Sequence, residues 1–313
     1  MKLAYLFPGQ GSQSVGMGKE RAERYPIARH TFDEADAALG YPLSQLCFDG
    51  PEDKLKLTEI TQPAILTVSV AVFRVLMEHG APAPSFVAGH SLGEYSAHVA
   101  AGTLSFADVV RTVRNRGKYM QEAVPVGVGA MAAVLGMKLE ALEEVCKEAS
   151  GDDITAVAPA NINSLNQIVI SGTAASVQRA AELAKAKGAK RAILLPVSAP
   201  FHCALMRPAQ EALAKDLHDL NFNDPQIPVI KNIDAQPTNK GSEAREALIQ
   251  QVTGAVQWVK TIRFLLDEGV DTFVEVGPGK VLCGLVGQIE KESYCMNVEN
   301  EVTLQKTLAL LRA

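Results

Sequence analysis

Short apolar runs alternate with longer helical patterns along most of the chain. Leu3–Phe7, Phe86–Ala88 and Val270–Val276 are short and apolar, and turn residues follow the first and the third at once. Between these runs, apolar residues recur with helical spacing, as in Ala64–Glu78 and Phe106–Glu122. Buried strands that alternate with helices are typical of a parallel α/β sheet. The sequence therefore predicts a large α/β unit around a parallel-sheet core.

The middle of the chain carries a different pattern, in which the predicted order is βαββαβ, the ferredoxin-like order. The six predicted elements are Ala130–Leu135, Leu139–Ala149, Ile154–Ala158, Gln167–Ser171, Ala174–Lys187 and Arg191–Leu195. An Asn-rich turn, Asn161-Ile-Asn-Ser164, is predicted between the second and third strands. Thr173 is expected to cap the second helix, and Gly188 suits the position after its end. Residues 127–197 are therefore predicted to form a small subdomain inserted into the large unit, which takes residues 1–126 and 198–313.

The composition fits a globular protein. At roughly 150 residues per domain, a length of 313 residues predicts about two units. The net charge of −5 argues against a protein built to coat nucleic acid. Five widely spaced cysteines without a CxxC pair make a disulfide scaffold or a zinc site unexpected, and they favour a reducing compartment, the cytoplasm. We expect no export signal, since only five apolar residues precede Pro8, and no membrane-spanning segment.

Gly89-His-Ser-Leu-Gly93 fits the G-x-S-x-G pattern of a nucleophile elbow. An apolar run precedes it and a helical segment follows it, which is the context of an elbow in an α/β-hydrolase-like unit. The turn is too tight for side chains beside Ser91, and it holds the hydroxyl over a helix N-terminus with its free N–H groups. The N–H of Leu92 is placed to stabilise an oxyanion. The alternative interpretation is a glycine-rich turn with an incidental serine.

A serine nucleophile needs a base, and His202 is the candidate among six histidines. It lies in a loop where the chain returns from the predicted insertion to the large unit. The other five lie in charged helical contexts, inside the elbow or on the helix that follows it: His30, His79, His90, His98 and His218. From its position alone, His202 is as compatible with a satisfied loop or core histidine as with a catalytic base.

One predicted helix presents an arginine among its apolar positions. Ser105-Phe-Ala-Asp108 has the form of a capping box and opens the helix. Arg116 lies three residues after Val113 and four before Met120, on the apolar stripe. An inward-facing guanidinium requires an anionic partner. That partner is either an internal carboxylate or a substrate carboxylate, which a guanidinium can grip with two hydrogen bonds; emergence of the helix end into solvent is the third possibility.

Several separated segments together resemble one family, the malonyl-CoA:acyl carrier protein transacylases of type II fatty acid synthesis. They occur in the order of the family and cover nearly the whole chain: Phe7-Pro-Gly-Gln-Gly-Ser-Gln13, Gly89-His-Ser-Leu-Gly-Glu-Tyr-Ser96, Arg116-Gly-Lys-Tyr-Met-Gln-Glu122, Pro196-Val-Ser with Phe201-His-Cys-Ala-Leu-Met206, Val256-Gln-Trp258 and Glu275-Val-Gly-Pro-Gly-Lys280. Each motif alone has little specificity, whereas the combination is highly specific. The predicted insertion also resembles the ferredoxin-like subdomain of this family.

The resemblance implies the catalytic residues. Ser91 is implied to be the acylated nucleophile and His202 its base. Gln251 matches a glutamine whose backbone carbonyl orients this histidine, so that a Ser–His dyad suffices and no aspartate is required. Close by, Thr253-Gly-Ala255 departs from the Asn-Pro-containing run that is more usual in the family.

The resemblance also implies how the substrates bind. Gln10 and Leu92 are implied to supply the backbone N–H groups of an oxyanion hole, and Arg116 to bind the malonyl carboxylate. Phe201 matches a bulky residue that crowds an α-methyl group, which disfavours methylmalonyl. The implied partners are malonyl-CoA and an acidic acyl carrier protein, with no cofactor, metal, nucleic acid or membrane, and we expect a monomer. The densest basic cluster is either a docking site for the carrier or an ordinary solvated helix end: Lys185, Lys187, Lys190 and Arg191.

Other functions stay open at this point. A serine hydrolase or thioesterase of related architecture orders its residues Ser, Asp, His, and Asp152 and Asp153 lie between Ser91 and His202. A non-catalytic carrier-binding module is a second alternative, against which the joint presence of serine, histidine and Arg116 counts. A free-standing acyltransferase that serves a polyketide synthase is a third, which the sequence separates poorly from one of fatty acid synthesis.

Overall fold

The computed structural model describes residues 1–153, 155–197 and 199–312. Ile154, Ser198 and Ala313 lie outside the described residues. The first residue of the predicted strand Ile154–Ala158 is therefore not covered, nor are the two end residues of the predicted segment 198–313.

Ten strands are present in the described ranges, and they form two sheets. They are β1 (Leu3–Phe7), β2 (Phe86–Gly89), β3 (Gly129–Leu135), β4 (Val157–Ser164), β5 (Gln167–Thr173), β6 (Arg191–Leu194), β7 (Val229–Ile230), β8 (Pro237–Thr238), β9 (Thr272–Val276) and β10 (Tyr294–Val298). The large sheet has the order β10-β9-β1-β2-β7-β8 and is parallel except between β7 and β8. The small sheet has the order β4-β5-β3-β6 and is antiparallel throughout.

Fourteen α-helices surround these sheets in the part of the chain that the structure describes. They are α1 (Lys19–Arg24), α2 (Pro26–Leu39), α3 (Leu43–Asp49), α4 (Glu52–Leu55), α5 (Thr58–Glu78), α6 (Leu92–Ala100), α7 (Phe106–Glu122), α8 (Leu139–Ser150), α9 (Ala174–Ala186), α10 (Arg207–His218), α11 (Gly241–Gln251), α12 (Trp258–Asp267), α13 (Val281–Ile289) and α14 (Glu301–Leu311). A short 3₁₀ helix, Ala204–Met206, precedes α10.

The large sheet is covered on both faces, as the continuous apolar runs of its central strands predict. Tyr5 and Phe7 of β1 pack edge to face against Phe73 of α5. Ala4 and Leu6, which point the other way, belong to a second core that contains Trp258. The predicted α/β fold with a parallel core is therefore confirmed.

The long apolar helix α5 is a core element. Its 21 residues contain an 18-residue window of mean hydropathy 1.7, so that by length and composition alone it could cross a membrane. However, 78% of this window is buried inside the protein, where α5 packs against α2 and α7. The helix begins at Thr58 rather than at the predicted Ala64, and it accommodates Pro63 in its second turn.

The small sheet carries α8 and α9 on one face, in the predicted βαββαβ order. The predicted cap is present, since the Thr173 hydroxyl accepts a hydrogen bond from the Ser176 N–H at 3.3 Å. Gly188 follows α9 with φ of 100°, a conformation that favours glycine. The ferredoxin-like pattern is confirmed, whereas the limits 127 and 197 of the insertion stay a prediction.

The predicted Asn-rich turn is wrong, because strand β4 runs from Val157 through to Ser164. Asn161 and Asn163 are almost fully buried in it. The Asn163 side-chain oxygen lies 2.7 Å from His90 Nε2, and Asn161 forms a bridge with Val256 of the large unit. A partner in the large unit thus satisfies the Asn163 side chain, and backbone pairing with that unit holds the chain extended at Asn161, although asparagines in isolation favour a turn.

The sequence makes a disulfide scaffold unexpected, and the structure contains one disulfide among the described residues. Cys283 and Cys295 are joined, with their Cα atoms 5.4 Å apart. The two cysteines are adjacent because the first turn of α13 lies beside β10. The spacing of the cysteines along the sequence does not predict this packing. Cys47, Cys146 and Cys203 are buried free thiols.

Candidate active site

Ser91 lies at the turn between β2 and α6 in a strained backbone conformation. Its φ is 51° and its ψ is −107°, a combination that side-chain-bearing residues rarely adopt. A Cβ atom on Gly89 would lie 1.9 Å from the carbonyl carbon of Gly93, and a Cβ atom on Gly93 would lie 2.0 Å from the carbonyl oxygen of Phe7. The predicted requirement for glycine on both sides of the serine is confirmed.

Ser91 and His202 are in hydrogen-bond contact. Ser91 Oγ lies 2.7 Å from His202 Nε2, and His202 Nδ1 lies 2.9 Å from the carbonyl oxygen of Gln251 and 3.1 Å from that of Gly254. Since carbonyl oxygens only accept, Nδ1 carries the proton and Nε2 is free to accept the serine proton. Gly254 lies in the segment that departs from the usual family pattern, and it adds a second acceptor. Backbone carbonyls thus occupy the place of the aspartate in a triad.

The protonation state of His202 suits a base. Burial, followed by the positive charge of Arg116, lowers the pKa of His202 to about 3. The imidazole is therefore neutral at neutral pH, which is the state that can accept a proton. Asp152 and Asp153, which a hydrolase triad could have used, lie on an exposed turn after α8.

Arg116 projects from α7 into the interior, beside the serine. Only 2% of its surface is exposed. Nη1 donates to Gln62 Oε1 at 2.7 Å, while Nη2 donates to Gln251 Oε1 at 2.9 Å and to Ser91 Oγ at 3.2 Å. All three acceptors are neutral, so the guanidinium is held in place but its charge is not matched by a contacting carboxylate. This geometry favours the substrate carboxylate among the alternatives that the sequence leaves open.

Two backbone N–H groups lie close to the serine. The N–H of Leu92 is the first of α6, and neither it nor the N–H of Gln10 donates to a backbone acceptor in the described ranges. Gln10 belongs to the loop after β1, which lies directly against the elbow: a Cβ atom on Gly9 would lie 2.4 Å from the carbonyl oxygen of His90. Neither N–H group is thus engaged with a backbone acceptor among the described residues, and an oxyanion hole requires donors that are free in this way.

Three polar residues at the site were not predicted from the sequence. Asn232, in the loop after β7, accepts from the Ser91 N–H at 2.7 Å and donates to the Gly89 carbonyl at 2.7 Å, so it clamps the elbow. Glu94 of α6 is buried beneath it, and burial raises the pKa of this carboxyl group to about 7. Gln62 of α5 is the third. Glu94 lies in the motif Gly89-His-Ser-Leu-Gly-Glu-Tyr-Ser96. Gln62 and Asn232 lie in no recognisable sequence motif.

The small sheet closes the site from the other side. His90, next to the serine, is linked to Asn163 of β4 and lies 5.5 Å from Trp258, measured between ring centroids. Phe201 is half-buried and packs against the cluster of Met131, Ala160 and Val169 on the face of the small sheet opposite to α8 and α9. The four residues of the basic cluster are all exposed. Within the described ranges, no group of three or more His, Cys, Asp and Glu residues could hold a metal ion.

Comparison with known proteins gives consistent matches over nearly the whole chain. The model of the acyl transferase domain family matches residues 4–306. The malonyl CoA-acyl carrier protein transacylase of Escherichia coli O157:H7 is 51% identical over 288 residues, which are 92% of this chain and 93% of that protein.

Solved structures agree with these matches. The malonyl CoA-acyl carrier protein transacylase from Coxiella burnetii has a TM-score of 0.97 and 43% identity, and the match covers 100% of this chain and 98% of that one. A malonyl-transacylase solved in complex with its type II PKS acyl-carrier protein has a TM-score of 0.96 and 44% identity, with coverage of 99% and 100%.

Proposed function

The chain belongs to the malonyl CoA-acyl carrier protein transacylase family, and from this premise we propose how it works and where. It is an acyltransferase that moves the malonyl group from malonyl-CoA to acyl carrier protein for fatty acid synthesis. The observation that carries the proposed mechanism is the 2.7 Å contact between Ser91 Oγ and His202 Nε2, next to a buried arginine.

In the first half-reaction, Ser91 is acylated. His202 Nε2 accepts the serine proton while Oγ attacks the thioester carbonyl of malonyl-CoA. The N–H groups of Leu92 and Gln10 hold the resulting oxyanion; loss of one such donor typically costs about 10²- to 10³-fold in rate. The tetrahedral intermediate collapses with cleavage of the C–S bond, and the CoA sulfur takes the proton from His202. Malonyl-Ser91 and free CoA remain.

In the second half-reaction, the carrier removes the malonyl group. His202 Nε2 accepts the proton of the phosphopantetheine thiol, whose sulfur attacks the ester carbonyl on the same oxyanion donors. The C–O bond to the serine breaks, and Ser91 Oγ recovers the proton from His202. The cycle is ping-pong, and its chemistry requires neither metal nor cofactor.

Arg116 selects the acyl group in this proposal. The malonyl carboxylate provides the contacting anion that the guanidinium lacks inside the protein, where the Glu94 carboxylate acts on Arg116 only from behind the Gln251 amide. An acetyl group provides none, so the cation stays buried and unpaired. Because the charge of Arg116 lowers the pKa of His202, a carboxylate beside it should raise that pKa, and the correct acyl group thereby strengthens the base. Phe201, on the small-sheet side, is proposed to exclude an α-methyl group.

We place the enzyme in the cytoplasm. Buried free thiols at Cys47, Cys146 and Cys203 are compatible with a reducing compartment. A second role, with a polyketide synthase carrier as acceptor, is a candidate because one structural neighbour was solved with such a carrier; comparison of the transfer rates to the two kinds of carrier distinguishes the roles.

The first prediction concerns the acyl-enzyme. Incubation with malonyl-CoA, without carrier, should add the mass of one malonyl group to the intact protein, because the ester accumulates when no acceptor thiol is present. Ser91→Ala should show no adduct. Addition of the carrier should discharge the wild-type adduct and produce malonyl-carrier. Absence of an adduct on folded wild-type protein, or its loss to water at a rate that the carrier does not increase, contradicts the proposal and favours a hydrolase.

A further inference from the structure

One residue, Gln251, links the base to the acyl-selecting arginine, through its backbone at one end and its side chain at the other. The Gln251 backbone carbonyl accepts from His202 Nδ1, and its side-chain Oε1 accepts from Arg116 Nη2. This second role requires that the amide oxygen, not the amide nitrogen, faces the guanidinium, since two donors in contact would repel each other. The two ends of an amide have nearly the same shape, so something else must set the orientation.

The surroundings of the amide nitrogen set that orientation. Gln251 Nε2 donates to Glu94 Oε2 at 2.7 Å and to the Ser91 carbonyl oxygen at 2.9 Å. Both groups are acceptors, whereas Arg116 on the other side is a donor only. Glu94 Oε2 accepts in addition from the Asn232 N–H at 3.1 Å. Glu94, Gln251 and Asn232 are each fully buried, so water cannot replace these bonds.

We propose that Glu94 is a positioning residue for acyl selection: it fixes the Gln251 amide so that the oxygen holds Arg116 in the place where the substrate carboxylate binds. The amide lies between the carboxylate and the guanidinium, so Glu94 does not occupy the position that the substrate needs. Glu94 touches neither Arg116 nor the serine hydroxyl, and its effect should pass through Gln251. The inference rests on the proposed function, because it concerns the selection of malonyl.

The test compares the rates at which Ser91 is acylated by malonyl-CoA and by acetyl-CoA. Each rate is measured by rapid quenching and the intact mass of the protein. Glu94→Met keeps the side-chain volume but removes both carboxylate oxygens. It should lower the ratio of the malonyl to the acetyl acylation rate about 10- to 100-fold, mainly because acylation by malonyl-CoA becomes slower. Glu94→Gln still presents an amide oxygen to Gln251 and Asn232, and its ratio should stay within about 3-fold of wild type. In an Arg116→Ala background, Glu94→Met should not change the ratio further.

Glu275 provides a matched control. It is also a fully buried carboxylate, and it accepts from the N–H groups of Leu282 at 3.0 Å and Cys283 at 2.8 Å, away from Arg116. Glu275→Met should lower the unfolding temperature as Glu94→Met does, but leave the ratio as in wild type.

Three results would overturn the inference: an unchanged ratio in Glu94→Met, an equal loss in Glu94→Gln, or the same loss in Glu275→Met. If Glu94→Met does not fold, Glu94→Leu, which also offers no acceptor to Gln251, replaces it and is judged by the same ratio and by its coupling to Arg116→Ala. Failure of wild-type protein to form malonyl-Ser91 instead contradicts the proposed function.

Discussion

At the scale of single residues, the site fixes the position of the Arg116 side chain without neutralising its charge, whereas a salt bridge would do both. Neutral amide oxygens on Gln62 and Gln251 fix the guanidinium, while the charge stays without a contacting anion. Burial lowers the pKa of Arg116, because it disfavours the charged form. A substrate carboxylate would compensate the buried positive charge, so binding of the malonyl group should be favoured strongly over that of an uncharged acyl group.

The substitution Arg116→Ala tests this selection directly. It should reduce the preference for malonyl over acetyl by about 10²- to 10⁴-fold, since two charge-assisted hydrogen bonds to the substrate are lost. The measurement is competition between malonyl-CoA and acetyl-CoA for Ser91, read from the masses of the two adducts. Arg111→Ala is the control, because Arg111 lies on the same helix but is exposed and paired with Asp108. A malonyl preference that survives in Arg116→Ala removes this arginine from acyl selection.

At the scale of elements, the proposed acyl selection should depend on how closely α5 and α7 approach each other. Gly117 follows Arg116 on α7, and a Cβ atom there would lie 2.5 Å from the carbonyl oxygen of Thr58, at the start of α5. The same two helices carry Gln62 and Arg116. Their spacing at Gly117 therefore sets the distance between the guanidinium and one of its two amide acceptors.

The substitution Gly117→Ala should destabilise the fold and disturb the site together. The added methyl group meets backbone atoms that cannot move independently, which typically costs about 1–3 kcal/mol. The free energy of unfolding, from denaturant titration, should fall by that amount, and the rate of malonyl transfer should fall with it. Gly287→Ala in α13 is the matched control: a Cβ atom there meets nothing within 4 Å, so it should stabilise the protein by about 0.5–1 kcal/mol. Equal effects of the two substitutions would show that helix propensity, not the close approach, decides.

The sequence predicts elements well where the signals are local. β1 and α7 have the predicted bounds, because an apolar run bounded by Pro8 and a capped helix are specified by neighbouring residues. The Asn-rich segment fails for the opposite reason: burial of Asn163 is stabilised by His90, which is 73 residues away in sequence. The positioning residues Gln62 and Asn232 likewise show no local pattern, since their function comes from contacts that only the fold creates.

At the scale of the whole molecule, the site lies where the two sheets meet. Ser91 follows a central strand of the large sheet at its carboxyl end, the edge at which α/β proteins bind ligands. Asn163 and Phe201 approach it from the side of the small sheet. A thioester must therefore reach the serine between the two sheets, and a carrier protein must dock close enough for its phosphopantetheine arm to enter. The basic cluster belongs to the small sheet and its helix α9.

The last prediction concerns this docking. Lys185 and Lys190 are exposed in the cluster, and neither forms an ion pair in the described part of the chain, so both are available to a carrier of the acidic kind that the resemblance implies. The KM for carrier should rise about tenfold between 50 mM and 500 mM salt, because screening shortens the reach of charge attraction from more than 10 Å to a few Å. Reversal of both charges, K185E with K190E, should raise the KM at low salt and abolish its salt dependence. Lys291→Glu with Lys306→Glu changes the net charge equally at other exposed positions and should preserve the wild-type slope. If both double variants behave alike, net charge rather than this surface governs the encounter, and the cluster is an ordinary solvated helix end.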